Sequence, residues 1–418
     1  MDANDSARTF LRQMWDAAIG AVSAARLRGR LPDKPNGRIV VVGAGKAAAA
    51  MAAEAARHYG DAVAGVAVTR RGYGLKPGES TGAIRLIEAS HPVPDEAALV
   101  AGRALLDAVH GLSPDDLVLC LLSGGGSALL EAPLDGISFA EVTALNRALL
   151  ASGAAIGEIN CVRKHLSAIK GGRLACTAYP ARVLSLAISD VPGDDASVIA
   201  SGPTIGDPTT QAEARAALAR YRIAAPASIA AVLNDPRCET PKPGEARLAH
   251  AEYRLIATQA DALDAASNVA RAAGYAVIDR GTRIEGEARL VAHEEARLAL
   301  AARPPCVLLG GGELTVTLER AGSGGPNREY ALALALALKG APRLAALAAD
   351  TDGIDGSDDG AGAFVFPDTL RRAAALRLDA QAALAAHDSG GFFASLGDAL
   401  VSGPTRTNVS DFRAIVVA

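Results

Sequence analysis

Several things are scarce in this chain, and each shortage closes off a class of protein. Aromatic residues make up 4% of the 418 positions, with one tryptophan, so the composition does not encode a Trp/Tyr-rich sandwich. The five cysteines, Cys120, Cys161, Cys176, Cys238 and Cys306, are odd in number and scattered, with no CxxC pair. Neither a disulfide framework nor a zinc site follows from that pattern, and reduced thiols are expected. The seven histidines show no HxxxH spacing. There is no basic surplus: 42 cations face 46 acids, a net charge of −4, so a nucleic acid partner is not expected. No apolar run reaches the length of about eighteen residues needed to span a membrane. The opening MDANDSARTFLRQMW is polar and amphipathic and lacks the apolar core of a signal peptide, so a cytoplasmic location with no membrane association is expected. Lysine is rare too, at seven of the 42 cations. Where it stands beside glycines, as at Lys46, Lys164 and Lys170, it is a candidate for a specific task, because arginine replaces a compact point charge poorly.

What is present is core material. Half of the residues are hydrophobic, and short apolar strands alternate with helical stretches, the pattern of an α/β protein. Strands are expected near 38–42, 63–68, 84–87, 117–122 and 183–188. A second series is expected at 253–257, 275–278, 306–309, 314–318 and 414–417. Helices are expected over 47–58 and 261–273, up to 302, and over 331–338, where alanine and leucine alternate. The proline-rich NDPRCETPKPG at 234–244 reads as a linker. No repeat of solenoid period occurs, although SGPT appears at both 201–204 and 402–405.

Five motifs carry possible chemistry. VVVGAGKAAA places Gly43, Gly45 and Lys46 between a strand and a helix, where backbone approaches a phosphate closely. A bare βα turn is the plain alternative. As a dinucleotide site the motif is incomplete, because Thr69, Arg70 and Arg71 stand where a ribose-binding acid is needed. Arginines there suit a 2′-phosphate, which leaves an NADP-linked site open. Next, LLSGGGSAL ends a strand in Ser123, Gly124, Gly125, Gly126 and Ser127, a nest for phosphate or carboxylate. The third motif gathers Arg163, Lys164, His165, Lys170 and Arg173, either an anion-binding surface or an exposed basic helix. In the fourth, SDVPGDD, Asp190 lies just beyond a strand end, positioned as a general base or Mg²⁺ ligand, with Asp194 close by. The last group is in the second half. GGGELTVT offers another triple glycine turn with Gly311, Gly312 and Glu313. DTDGIDGSDD resembles a calcium loop but has Ala361 where the closing glutamate belongs; Asp352 there is a candidate Mg²⁺ or ribose contact.

In order, and over nearly the whole chain, the segments GAGKAA (43–48), SGGGSA (123–128), NCVRKHLSAIKGGRLA (160–175), SDVPGDDASVIASGPT (189–204), GGGELTVT (310–317), DTDGIDG (350–356) and GPTRTNVSD (403–411) resemble the glycerate 2-kinase family, whose C-terminal part is the MOFRL domain. The resemblance implies ATP- and Mg²⁺-dependent phosphorylation of D-glycerate at its 2-hydroxyl. It implies an α/β protein with a Rossmann-like N-terminal domain (1–240), a smaller α/β C-terminal domain (241–418), an active site in the cleft between them, and a monomer or homodimer. Lys46, Asp190 and Arg328 are the expected catalytic residues; Arg328 is included because Pro326 stands where family members commonly carry arginine. Phosphate contacts are expected from Gly43, Gly45, Ser123–Ser127 and Lys170, and from Gly311, Gly312 and Glu313. Lys164, His165 and Asn408 are expected to bind substrate, and Asp190, Asp194 and Asp352 the metal. An NADP-linked hydroxypyruvate reductase and a non-catalytic sugar-phosphate-binding protein are the alternatives.

Overall fold

Runs of valine and leucine bounded by glycine or charge build the first sheet: β1 (Ile39–Ala44), β2 (Val63–Arg70), β3 (Ala83–Ala89), β4 (Leu117–Leu122), β5 (Arg182–Ile188) and β6 (Ala251–Ala257). A computed structural model describes residues 3–318 and 322–418. The strand order is β3-β2-β1-β4-β5-β6, and β1 to β5 pair in parallel. Every residue of β1 and β4 is buried, as central parallel strands with both faces covered must be. The order reverses between β1 and β4. Open α/β sheets place ligands at that point, outside the carboxyl ends of the strands.

The second sheet combines β7 (Ala276–Glu287), β8 (Cys306–Thr315), β9 (Leu344–Asp350), β10 (Gly362–Val365), β11 (Ala399–Leu400) and β12 (Asp411–Val417) in the order β11-β10-β9-β12-β8-β7. Only β7 and β8 pair in parallel among its named strand pairs. The helix Pro326–Leu338 packs its Ala/Leu face into the core of this unit. One expectation changes here. The segments 306–309 and 314–318 do not flank a glycine turn, because 306–315 is one strand. Leu344–Asp350, whose alanines and leucines favour helix by propensity, is a buried strand paired on both sides.

Contacts divide the chain into Ala24–Ile256 and a second unit formed by Ala257–Ala418 with the residues up to Ser23. The expected boundary after residue 240 therefore differs from the observed division, and the N-terminal helix joins the later unit. There Phe10 stacks on Tyr275 at 5.0 Å and Arg8 pairs with Asp398 at 2.5 Å. No described helix is long and apolar enough to cross a membrane.

The 234–244 stretch is not a linker but a clasp inside the first unit. Thr240 is buried and meets Asp207 (3.2 Å), and Glu239 accepts from His165 Nε2 and Lys242 Nζ (2.8 and 2.7 Å). Burial works upward on the Glu239 carboxyl, but Lys242, the N–H groups of Gln211 and Thr240, and His165 outweigh it and hold it at about 2, below its ordinary 4.5. A depressed acid contributes stability above its unfolded pKa and loses it as pH falls through the folded value. Wild type should therefore lose more stability between pH 4.5 and 2 than Glu239→Gln. Urea unfolding across that range, followed by tryptophan-independent circular dichroism, checks this; identical pH slopes would remove Glu239 from the clasp.

Candidate active site

Three loops meet at the carboxyl ends of β1, β4 and β5. The first leaves β1 through Gly45, whose φ of +127° and whose lack of a side chain let it lie against Ser123; a Cβ there would stand 2.2 Å from Ser123 Oγ. The amides of this loop are all satisfied internally. Gly45 N–H donates to Val68 O (3.1 Å), Lys46 N–H to Gly124 O (2.9 Å) and Ala47 N–H to Ser123 Oγ (2.9 Å). Gly43 lies inside β1, paired with Ala67 and Leu121. The GAGK turn is thus a lock on the neighbouring loop rather than a backbone cradle, a correction to the roles expected of Gly43 and Gly45. The Lys46 side chain belongs to a residue only 8% exposed.

The second loop supplies the backbone donors. Ser123 N–H donates to Ala44 O and Gly126 N–H to Ser123 O. No acceptor among the described residues takes the amides of Gly124 and Gly125. Gly125 is left-handed at φ +81°, and a Cβ on it would be 3.1 Å from the His91 ring and 3.6 Å from Lys46 Cγ. Consecutive amides with such geometry form an anion nest. His91, beyond β3, is a neighbour that sequence reasoning missed; only its place after the next strand along the sheet could have pointed to it.

The third loop runs from Asp190 to Thr204. Asp190 follows β5 directly and is half-buried; Asp194 is left-handed at φ +58°. Burial first, then the charges of Cys120, Asp194, Asp190 and Asp195, push the Tyr253 phenol up. Further on, Ser201 Oγ meets Ser127 Oγ at 2.8 Å, and Thr204 Oγ1 meets Ser185 Oγ on β5 at 2.6 Å. These two hydroxyl contacts seat the SGPT turn on the short helix that follows β4 and on β5.

The basic motif at 160–173 supports this loop from below instead of facing an anion. Its helix ends at His165. Lys164 pairs with Asp207 at 3.3 Å, Lys170 with Glu131 at 2.7 Å, and His165 with Glu239, all three residues being buried. Burial lowers the Lys170 pKa against the pull of Glu131. The left-handed Gly171 and Gly172 donate to Ser201 O and Gly202 O (3.0 and 2.8 Å). The expected anion contacts of Lys164, His165 and Lys170 are corrected accordingly: both lysines already meet buried carboxylates, and the His165 ring is hydrogen-bonded to Glu239.

In the second unit the expected residues have other work. Gly311 and Gly312 are strand residues that make room for Gln259; a Cβ on Gly311 would lie 2.4 Å from Gln259 Cδ, and Gly312 N–H donates to Gln259 Oε1 at 2.9 Å. Glu313 is an exposed residue of the same strand. They form no glycine cradle. Arg328 is 2% exposed, its Nε on Asp355 (3.1 Å), Nη1 on Asp358 (2.5 Å) and Nη2 on Asp355 O. All three nitrogens are engaged, so Arg328 does not replace the arginine absent at Pro326. The proline itself opens the helix Pro326–Leu338 at its first position, where a missing N–H costs nothing. Burial lifts the Asp355 carboxyl to about 6 although Arg328 and the amides of Asn327 and Arg328 oppose it. Asp352 accepts from Ile354 N–H (2.7 Å) in a buried Asx turn, and Asn408 accepts from Ser410 N–H (3.2 Å) in the adjoining loop. Each braces its own turn through that bond.

A doubly wound sheet with an amide nest and a lysine where its strand order reverses is the architecture on which α/β proteins hold anions. Family models match the chain twice, "Domain of unknown function (DUF4147)" over residues 10–234 and the MOFRL family over residues 306–411. The D-glycerate 2-kinase of Thermotoga maritima is 39% identical over 91% of this chain and 91% of its own length. A crystal structure of glycerate kinase from that organism superposes with a TM-score of 0.88 at 36% identity, covering 99% of this chain and 100% of the other. A protein of Agrobacterium vitis named "Putative hydroxypyruvate reductase" is 50% identical over 100% of this chain and 96% of its own. The chain belongs to the glycerate 2-kinase family, the MOFRL-domain glycerate kinases.

Loop packing makes a testable demand. A Cβ on Gly126 would stand 2.7 Å from Ala200 Cβ, so Gly126→Ala must displace the SGPT turn, at a cost of about 1–3 kcal/mol. Its affinity for inorganic pyrophosphate should fall about tenfold or more by calorimetry, a loss of about 1.4 kcal/mol. Gly157→Ala, which meets open space in a helix, should bind as wild type does. Equal affinities for all three proteins would mean that this contact does not shape the site.

Proposed function

We propose that the protein transfers the γ-phosphoryl group of ATP to the 2-hydroxyl of D-glycerate, giving 2-phosphoglycerate and ADP. The observation that carries this reading is the pair of open amides at Gly124 and Gly125 beside Lys46, at the carboxyl ends of β1 and β4. Phosphoryl transfer asks for little else than positioned donors and cations around a charged group. The Lys46 ammonium offsets charge on the transferred phosphoryl. The Gly124 and Gly125 N–H groups and the Ser127 hydroxyl hold its oxygens. Asp190 takes the proton of the 2-hydroxyl as the oxygen–phosphorus bond forms and the bond to the departing ADP oxygen breaks.

Mg²⁺ fits the donors present only as part of a metal–nucleotide complex. Among the described residues no three His, Cys, Asp or Glu side chains form a preassembled cage. Mg²⁺ typically takes one or two carboxylates and completes its shell with phosphate oxygens and water. Asp190 and Asp194 would be those carboxylates, and the ion would neutralise phosphate charge.

The name of the Agrobacterium relative favours a second reading, reduction of hydroxypyruvate with NADPH. Against it, Arg71 already pairs with Asp95 at 2.5 Å and Arg70 lies over the Tyr73 ring. A 2′-phosphate would have to compete with those contacts.

Two parallel assays decide between them, ATP with D-glycerate and Mg²⁺, and NADPH with hydroxypyruvate. Phosphorus NMR of the first should show 2-phosphoglycerate and ADP, and the second should show no change in absorbance. Formation of 3-phosphoglycerate, or NADPH oxidation without ADP release, would overturn the proposal. Lys46→Ala and Asp190→Asn should each lower kcat by about a hundredfold or more, the scale of a single lost electrostatic donor.

A further inference from the structure

Ser201 has a hydroxyl with one possible use. The residue is fully buried, and among the described residues the only partner of its Oγ is Ser127 Oγ at 2.8 Å. A hydroxyl carries one proton and two lone pairs. If Ser127 donated to Ser201, the Ser201 proton would be left buried without an acceptor, which is costly. Ser201 is therefore the donor and Ser127 the acceptor. That arrangement frees the Ser127 proton to point elsewhere and strengthens it as a donor, because accepting one hydrogen bond polarises the group for giving another. Ser127 is half-buried, at the start of the short helix that follows Gly124 and Gly125.

The backbone around Ser201 is held in an unfavourable form. Ala200 and Ser201 are both left-handed, at φ +50° and +60°, followed by Gly202 at +57°. Non-glycine residues rarely adopt this region, and successive ones persist only where their surroundings enforce it. Here Gly171 N–H holds Ser201 O, Gly172 N–H holds Gly202 O, and Ala200 sits over the bare Cα of Gly126. A glycine at 201 would relieve the strain, yet the chain carries serine.

We infer that Ser201 is a positioning residue: it orients the Ser127 hydroxyl as a donor toward the phosphate group bound at the Gly124–Gly125 amides. The inference rests on the phosphate-site reading but not on glycerate being the acceptor.

A double-mutant cycle on the whole protein tests it, with Ser127→Ala, Ser201→Gly and the double variant. Ser201→Gly removes the hydroxyl while suiting the left-handed backbone, so it should fold at least as well as wild type. Affinity for inorganic tripolyphosphate, measured by calorimetry, is the first readout, and KM for ATP against kcat the second. Ser127→Ala should weaken tripolyphosphate about tenfold and Ser201→Gly about threefold to fivefold, the double variant being no weaker than Ser127→Ala alone. In turnover the same pattern should appear in KM for ATP more than in kcat. Effects that multiply in the double variant, or wild-type affinity in Ser201→Gly, would overturn the inference. If tripolyphosphate shows the expected coupling while ATP and D-glycerate give no product, the positioning role stands and the proposed reaction fails.

Discussion

The site depends on one interlock between two turns. Lys46 N–H on Gly124 O and Ala47 N–H on Ser123 Oγ tie the turn after β1 to the turn after β4, and Ser123 N–H returns the tie to Ala44 O. These bonds use the amides of the first turn and leave those of Gly124 and Gly125 open. They also hold the Lys46 backbone beside the nest. The glycines serve this contact more than they serve flexibility: Gly45 must meet Ser123, and Gly126 must clear Ala200, at distances no Cβ tolerates. Breaking the interlock would misplace the lysine and the nest together.

Beneath the interlock lies a layer of polar pairs, two of them buried ion pairs. Lys170–Glu131, Lys164–Asp207 and His165–Glu239 draw distant segments under the 199–204 turn, and the Gly171 and Gly172 amides then grip that turn from behind. Buried pairs of this kind contribute little net stability, but losing one partner strands a charge in the interior. Their value here is geometric. They fix the path of a loop whose backbone would otherwise leave the left-handed region at Ala200 and Ser201. The second unit uses the same device around Arg328, where Asp355 and Asp358 take up the whole guanidinium.

The first sheet was legible because valine and leucine runs stop at glycine or charge; 117–122 and 183–188 fall on β4 and β5 almost residue for residue. The second sheet was less so. Leu344–Asp350 has the composition of a helix and becomes a strand only because β12 and β10 flank it. The two triple glycines look alike in sequence, yet only 124–126 forms a loop, since Gln259 fills the space over Gly311. Charge was the least legible feature. A sequence displays the cations of 160–173 together but hides the carboxylates of residues 131, 207 and 239 that fold against them. Ser127 and Asp190 could be named from their motifs; His91 and Ser201 acquire a role only through neighbours far along the chain.

A crystal structure with Mg²⁺ and a non-hydrolysable ATP analogue tests the central claim most directly. It should place phosphate oxygens within hydrogen-bonding distance of the Gly124 and Gly125 amides and of Lys46 Nζ, with the β8 glycines making no phosphate contact. Phosphates resting against Gly310–Gly312, with the Gly124 and Gly125 amides facing only water, would contradict it.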